Sequence, residues 1–150
     1  MTVSVDFSTV ASAVAGLSVP GVTMRDINQI SSSYLTKPAL LSPRPERYIT
    51  DVSIVADTFG SGSIRSMTLR YKLNYVYYHC QIGSALDFAE YQDMINNVAN
   101  IVEVLITNDN LAGATDNIPP TISDISAVSD PAGNLYLGCI ITLSIVQYIN

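Results

Sequence analysis

The sequence predicts an α+β fold: an antiparallel sheet of hairpins, two helices packed on it, and an extended proline-containing arm. Three observations lead there. Apolar residues recur at spacings of three and four over 6–17 and again over 84–107. They alternate with polar ones over 66–80. Turn signals at Gly60-Ser61-Gly62-Ser63 and at Asp130-Pro131-Ala132-Gly133-Asn134 each separate two strand-like runs, as hairpins require. A chain of 150 residues suits one domain, 1–150, with an arm over 31–47 and a hairpin over 48–80.

The first helix is expected over 6–17. Phe7, Val10, Val14 and Leu17 form its apolar face, and Asp6 can accept from the free amides of its first turn. Val19-Pro20-Gly21 stops it, and a short strand-like piece follows, Val22 to Ile30. Residues 31–47 read as an irregular arm. Pro38, Pro43 and Pro45 lack amide donors, so the segment is not expected inside a sheet. Its Tyr34, Leu35, Leu40 and Leu41 favour docking onto something over disorder.

Tyr48 to Phe59 and Ser66 to Cys80 read as the two strands of an antiparallel ribbon. In the second, Met67, Leu69, Tyr71, Leu73, Tyr75 and Tyr77 face one way, and Thr68, Arg70, Lys72 and Asn74 the other. The second face is polar and basic and should meet solvent or an acidic partner. The second helix starts at Ser84-Ala85-Leu86-Asp87, a capping-box-like signal, and runs to about Thr107. Phe88, Tyr91, Ile95, Val98, Val102 and Leu105 form its expected buried face. Asp87, Glu90 and Asp93 lie near its start, where the helix dipole favours anions and where a basic neighbour could dock. A loop follows over 108–117, then a strand after Pro119-Pro120, a turn, and a last strand over 135–149 that is apolar on both faces. Such a strand is central or buried at an interface.

Hydrophobic residues make up 48% of the chain and charged residues only 13%, about half of a usual ~25%. That excludes a disordered chain and implies that part of the surface is covered by something else. The net charge of −6 argues against gripping nucleic-acid phosphates. All seven basic residues lie at or before Lys72, beside five acids; the remainder holds eight acids and no Lys or Arg. The two parts therefore carry +2 and −8. This asymmetry can close into internal ion pairs or serve partners of opposite sign. No signal peptide and no apolar run of membrane-spanning length is read, so a soluble cytoplasmic product is expected.

Few residues point to chemistry. Cys80 and Cys139 form no metal or redox motif and are expected as buried free thiols. His79 adjoins Cys80, but neighbours on a strand point to opposite faces, so a structural histidine is expected over a catalytic pair. No phosphate loop, dinucleotide fingerprint or nucleophile elbow is present, and no carboxylates show metal-loop spacing. Neither an enzyme nor a cofactor is expected.

The order of elements resembles the tail terminator (neck, or tail-completion) proteins of long-tailed bacteriophages, over most of the chain. The landmarks are the first helix running into Val19-Pro20-Gly21-Val22-Thr23, and the arm from Lys37-Pro38 to Pro43-Arg44-Pro45. Next come the strand Thr68-Leu69-Arg70-Tyr71-Lys72-Leu73 and Ile82-Gly83-Ser84 before the second helix. Asp109-Asn110-Leu111-Ala112-Gly113 follows that helix, and Asp130 to Gly138 feeds the final strand. These are structural landmarks, not catalytic ones.

The resemblance implies a small domain that assembles as a ring, commonly a hexamer, within the virion neck. Such a ring caps the tail tube, ends its polymerisation and meets the head-side connector, while double-stranded DNA passes through the lumen as cargo. Its partners would be itself, the tail tube protein and a connector or head-completion protein, with no membrane. It would be assembled in the host bacterial cytoplasm. Alternatives are another neck, head-completion or tube protein, or a small soluble enzyme or ligand-binding domain. The family fixes no contact residues. The charge pattern of this chain places subunit contacts on Arg65, Arg70 and Lys72 against Asp87, Glu90 and Asp93 of a neighbour. The arm, with Tyr34, Leu35, Leu40, Leu41, Arg44 and Arg47, is expected to dock on an adjacent ring or subunit.

Overall fold

A computed structural model of the chain describes residues 7–25, 37–43, 50–59, 63–82, 88–107 and 120–149, with backbone alone at 9, 57–59, 63–66 and 149. Two long strands carry the fold. β4 (Ser63–Gln81) and β7 (Leu135–Ile149) pair antiparallel from Met67↔Ile149 to Gln81↔Tyr136. Five shorter strands add to their outer edges. β3 (Thr50–Phe59) pairs with the first part of β4, and β2 (Leu40–Leu41) with Tyr77 and Tyr78 further along. β1 (Thr23–Met24) lies outside β2. On the other edge β5 (Thr121–Ile122) and β6 (Ser126–Ser129) both pair with β7. The described residues thus form a seven-stranded sheet with helices α1 (Ser8–Ala15) and α2 (Phe88–Thr107), an α+β fold.

The sheet is mixed and not wholly antiparallel as expected, because β1 and β2 run parallel. The cause is the arm. Leu40 and Leu41 enter the sheet between β1 and β4, despite the prolines around them. Pro38 and Pro43 fall just outside the paired residues, so neither is asked for an amide. The amides of Ala39 and Ser42 donate to β4 carbonyls of His79 and Val76, while the carbonyls of Ala39 and Leu41 accept from Thr23 and Arg25. Leu40 and Leu41 are buried in their own subunit at 1% and 2% exposure, which corrects their assignment to a docking arm.

Both helices pack on one side of the sheet, the helix side. Val10 and Val14 of α1 join Leu69, Tyr71, Leu73, Tyr75 and Tyr77 of β4 in one core, with Ile141, Leu143 and Ile145 of β7. Phe7 stands edge-on to the Tyr71 ring, centroids 4.9 Å apart. The N-cap position of α1 is Phe7, which makes no side-chain cap; Asp6 lies outside the described residues. The expected face of α2 is corrected in part: Val98 and Leu105 are buried as expected. Met94, Val98, Ile101 and Leu105 are buried, whereas Phe88 (95% exposed), Tyr91 and Ile95 look outward and Val102 is half-buried. Spacings of three and four fit both sets, and only the sheet selects between them.

On the far side, Arg70 and Lys72 are exposed as expected, with Thr68 and Asn74 half-buried. Beyond Asn74 this side turns apolar: Leu40, Val76, Tyr78 and Tyr136 form a second buried cluster, with Tyr78 and Tyr136 packed edge to face. The final strand is central, one of the two places that its two apolar faces allow. Its approach turn is closed by Asp130, whose carboxylate accepts from both the amide and the side chain of Asn134, with Gly133 at φ 89°.

The β4–β7 register shifts between Tyr78 and Cys80, leaving His79 as the extra residue of a bulge. Gly138 faces this step. A Cβ there would fall on the Tyr77 carbonyl oxygen and lie 2.7 Å from a Val128 methyl. Replacing Gly138 by alanine should therefore destabilise the chain by about 3 kcal/mol, the upper end for overpacking. Urea unfolding would read this, and a variant within about 0.5 kcal/mol of wild type would contradict it.

Candidate functional site

The described residues bring one polar cluster together inside the fold, where α2 passes the β2 end of β4. Its centre is His79, fully buried in the bulge. The Tyr77 hydroxyl lies 2.8 Å from His79 Nδ1, and Asn97 Nδ2 donates to that same hydroxyl oxygen at 2.9 Å. His79 Nε2 has no hydrogen-bond partner, and the nearest carboxylate oxygen, Glu90 Oε2, is 3.9 Å away. A proton on Nε2 would face that carboxylate, while a lone pair there would be repelled by it. The fitting tautomer is Nε2–H, with the Tyr77 hydroxyl donating to Nδ1.

Burial lowers the His79 pKa from its ordinary 6.5, and the attraction of Glu90 opposes this only in part. The ring is neutral at pH 7, so its approach to Glu90 is not an ion pair. Glu90 instead pairs with Lys37, at 2.7 Å, and Lys37 also donates to Asp93 at 3.0 Å. Hydrogen bonds to Glu90 and then Asp93 raise the Lys37 pKa, so the amine stays charged. The residue leading into β2 is thereby tied to the first turns of α2. Below it, Asn100 Nδ2 donates to the Pro20 carbonyl, and Asn97 crowds Gly21, whose φ of 74° and lack of Cβ let it approach.

This arrangement anchors; it does not assemble a nucleophile. Cys80 and Cys139 are buried and unpaired, as expected. Burial raises both thiols, Cys139 to about 11. Neither bonds to His79, whose Nδ1 is engaged by Tyr77. Burial also raises the Tyr77 hydroxyl above its ordinary value, so it is not a base. Among the described residues no three His, Cys, Asp or Glu converge as a metal site. The same residues contain no helix long and apolar enough to cross a membrane.

The structure separates the expected contact residues into groups. Glu90 and Asp93 are held by Lys37 of their own chain, and Lys72 pairs with Asp51 at 3.2 Å. Arg70 is exposed and lacks an ion-pair partner among the described residues. The Arg65 side chain, Asp87, Tyr34, Leu35, Arg44 and Arg47 lie outside what is described. Sequence reasoning missed Lys37 as a clamp, because nothing local links it to a carboxylate 56 positions away. It also missed the outward apolar side of α2, because the helical spacing supports two apolar stripes and does not say which one meets the sheet. No family model matches the chain, and no curated protein matches it.

A histidine whose folded pKa is depressed stabilises the fold fully above its unfolded value. That contribution is lost as pH falls from about 6.5 through the folded pKa, because the unfolded chain then binds more protons. Urea unfolding from about pH 7.5 to about pH 5 should therefore show falling stability, with a flatter slope in His79→Asn. Equal slopes in the two proteins would remove His79 from this account.

Proposed function

We propose that this chain is a structural virion protein of the tail-terminator kind. In this reading its copies form a ring, a hexamer, that caps the tail tube and ends its growth. The ring meets the head-side connector, and DNA passes through its lumen. The chain performs no reaction. It is made in the host bacterial cytoplasm and resides in the virion neck.

The observation that carries the reading is the apolar surface left open on a low-charge chain. Phe88 is 95% exposed, Tyr148 66% and Ile54 61%, with Val52, Val55 and Ile95 each more than half exposed. Isolated apolar residues on a surface are ordinary, but here they gather on one side of α2, along β3 and at the neighbouring end of β7. Only 13% of residues are charged, which leaves little to keep such surfaces in water. Burial between copies resolves this. The element order resembles the terminator family, and the acidic balance suits a channel that must not hold DNA.

The direct test adds the purified protein to tail tube subunits of the same virus during polymerisation. Tubes should stop growing, with the protein at one end as seen by negative-stain microscopy. Unaltered tube growth, together with intact particles that lack the protein at the junction of head and tail, would overturn the reading.

A further inference from the structure

Among the described residues, two exposed surfaces complement each other and lie on opposite sides of the sheet. The first is the outer side of α2. Ile95, Ala99, Val102 and Ile106, with Ile122 of the edge strand β5, line an apolar groove of about 520 Å³. Glu103 is the one charged residue among those lining it. No Lys or Arg follows Lys72 in the sequence, so neither α2 nor β5 supplies a cation. Lys37, the cation found at α2, is bound to Glu90 and Asp93 near its start. The groove therefore suits an apolar segment that brings a positive charge.

The second surface has that composition. Val55, Thr68 and Tyr148 form one row across β3, β4 and β7, and Ser53, Arg70 and Val146 form the next row. Both rows lie on the far side, since Arg70 alternates with the core residues Leu69 and Tyr71. Val55 is 53% exposed and Tyr148 66%, with Thr68 half-buried between them; Val146, in the second row, is buried and supplies no contact. Arg70 is exposed beside them, without an ion-pair partner among the described residues.

Because α2 packs on the helix side and this row is on the far side, the two surfaces of one chain cannot meet each other. We propose that the α2 groove of one copy receives the Val55–Tyr148 row of a second copy, with Arg70 of that copy meeting Glu103 of the first. The contact is head-to-tail. Each copy keeps one free groove and one free row, so the contact repeats and a suitable rotation closes it into a ring. The inference rests on the ring reading above and names its contact. It also relocates the acidic partner expected from the sequence. Glu90 and Asp93 share the single Lys37 amine of their own chain, and the carboxylate that lines the groove is Glu103, about 15 Å further along the helix than Asp93.

Native mass spectrometry of the full chain tests this with two exposed-site variants. Ile95→Glu disables the groove, and Tyr148→Glu disables the row; circular dichroism melts confirm that both fold. The wild type should assemble, and each variant alone should be monomeric. An equimolar mixture should give a one-to-one pair and nothing larger, since it holds one good groove and one good row. Arg70→Glu or Glu103→Arg alone should weaken assembly by about tenfold or more, and the double variant should recover it. Loss of assembly by Ile95→Glu alone, with Tyr148→Glu unaffected, would overturn the proposal in favour of groove-to-groove pairing. Wild-type assembly that survives both variants would overturn it while leaving the ring reading intact. A wild type that stays monomeric both alone and on isolated tail tubes would overturn the two together.

Discussion

The antiparallel ladder between β4 and β7 is the constraint on which the other elements depend. Partner residues run from Met67 with Ile149 to Gln81 with Tyr136, and every other strand attaches to an outer edge of this pair, directly or through β2. Cross-strand neighbours such as Tyr75 with Ile141 and Leu73 with Leu143 present one continuous apolar face to the helices. A one-residue slip would turn that face to the far side. The bulge at His79 and the missing side chain at Gly138 set the register where the Tyr77 carbonyl leaves no room for a Cβ. The bulge also brings Cys80 onto the helix side with Tyr77, where strict alternation would have placed it on the other face.

Around that end of the ladder the chain uses few charges, each at a junction. Lys37 comes from the basic part of the sequence and Glu90 and Asp93 from the acidic part, so one side chain ties the two together. Partly exposed ion pairs of this kind contribute little each, on the order of 1 kcal/mol or less. Their role here is positional. They hold the start of β2 against α2, while buried Leu40 and Leu41 supply the hydrophobic stabilisation. The hydrogen-bonded run from Asn97 through Tyr77 to His79 fills the space between with satisfied polar groups, apart from His79 Nε2.

The hairpin end and the outer side of α2 are built differently. There the apolar residues face outward and the core contacts are few. A sheet that buries one face under two helices has no further element with which to cover Phe88, Ile95 or Tyr148 among the described residues. These are the surfaces on which the proposed contacts between copies fall.

The sequence by itself determined the two helices, the two long strands and the burial of the last strand on both faces. Alternation over 67–77, helical spacing in two segments and the Asp130–Asn134 turn are local patterns, and local patterns are what backbone geometry enforces. It also pointed to Cys80 and Cys139 as buried thiols, since both sit in apolar runs, and the structure leaves them unpaired. Three matters were decided only by the tertiary structure. Which apolar stripe of α2 meets the sheet depends on the helix rotation against β4 and β7, because residues three and four apart support both stripes. Whether Leu40 and Leu41 dock outward or join the sheet depends on the open edge of β4 at Tyr77 and Tyr78, which lies 37 positions on. Which charges remain available to a partner depends on Lys37 reaching Glu90 and Asp93. Each of these is a contact between segments distant in the chain, and distance in the chain is what a linear pattern does not encode.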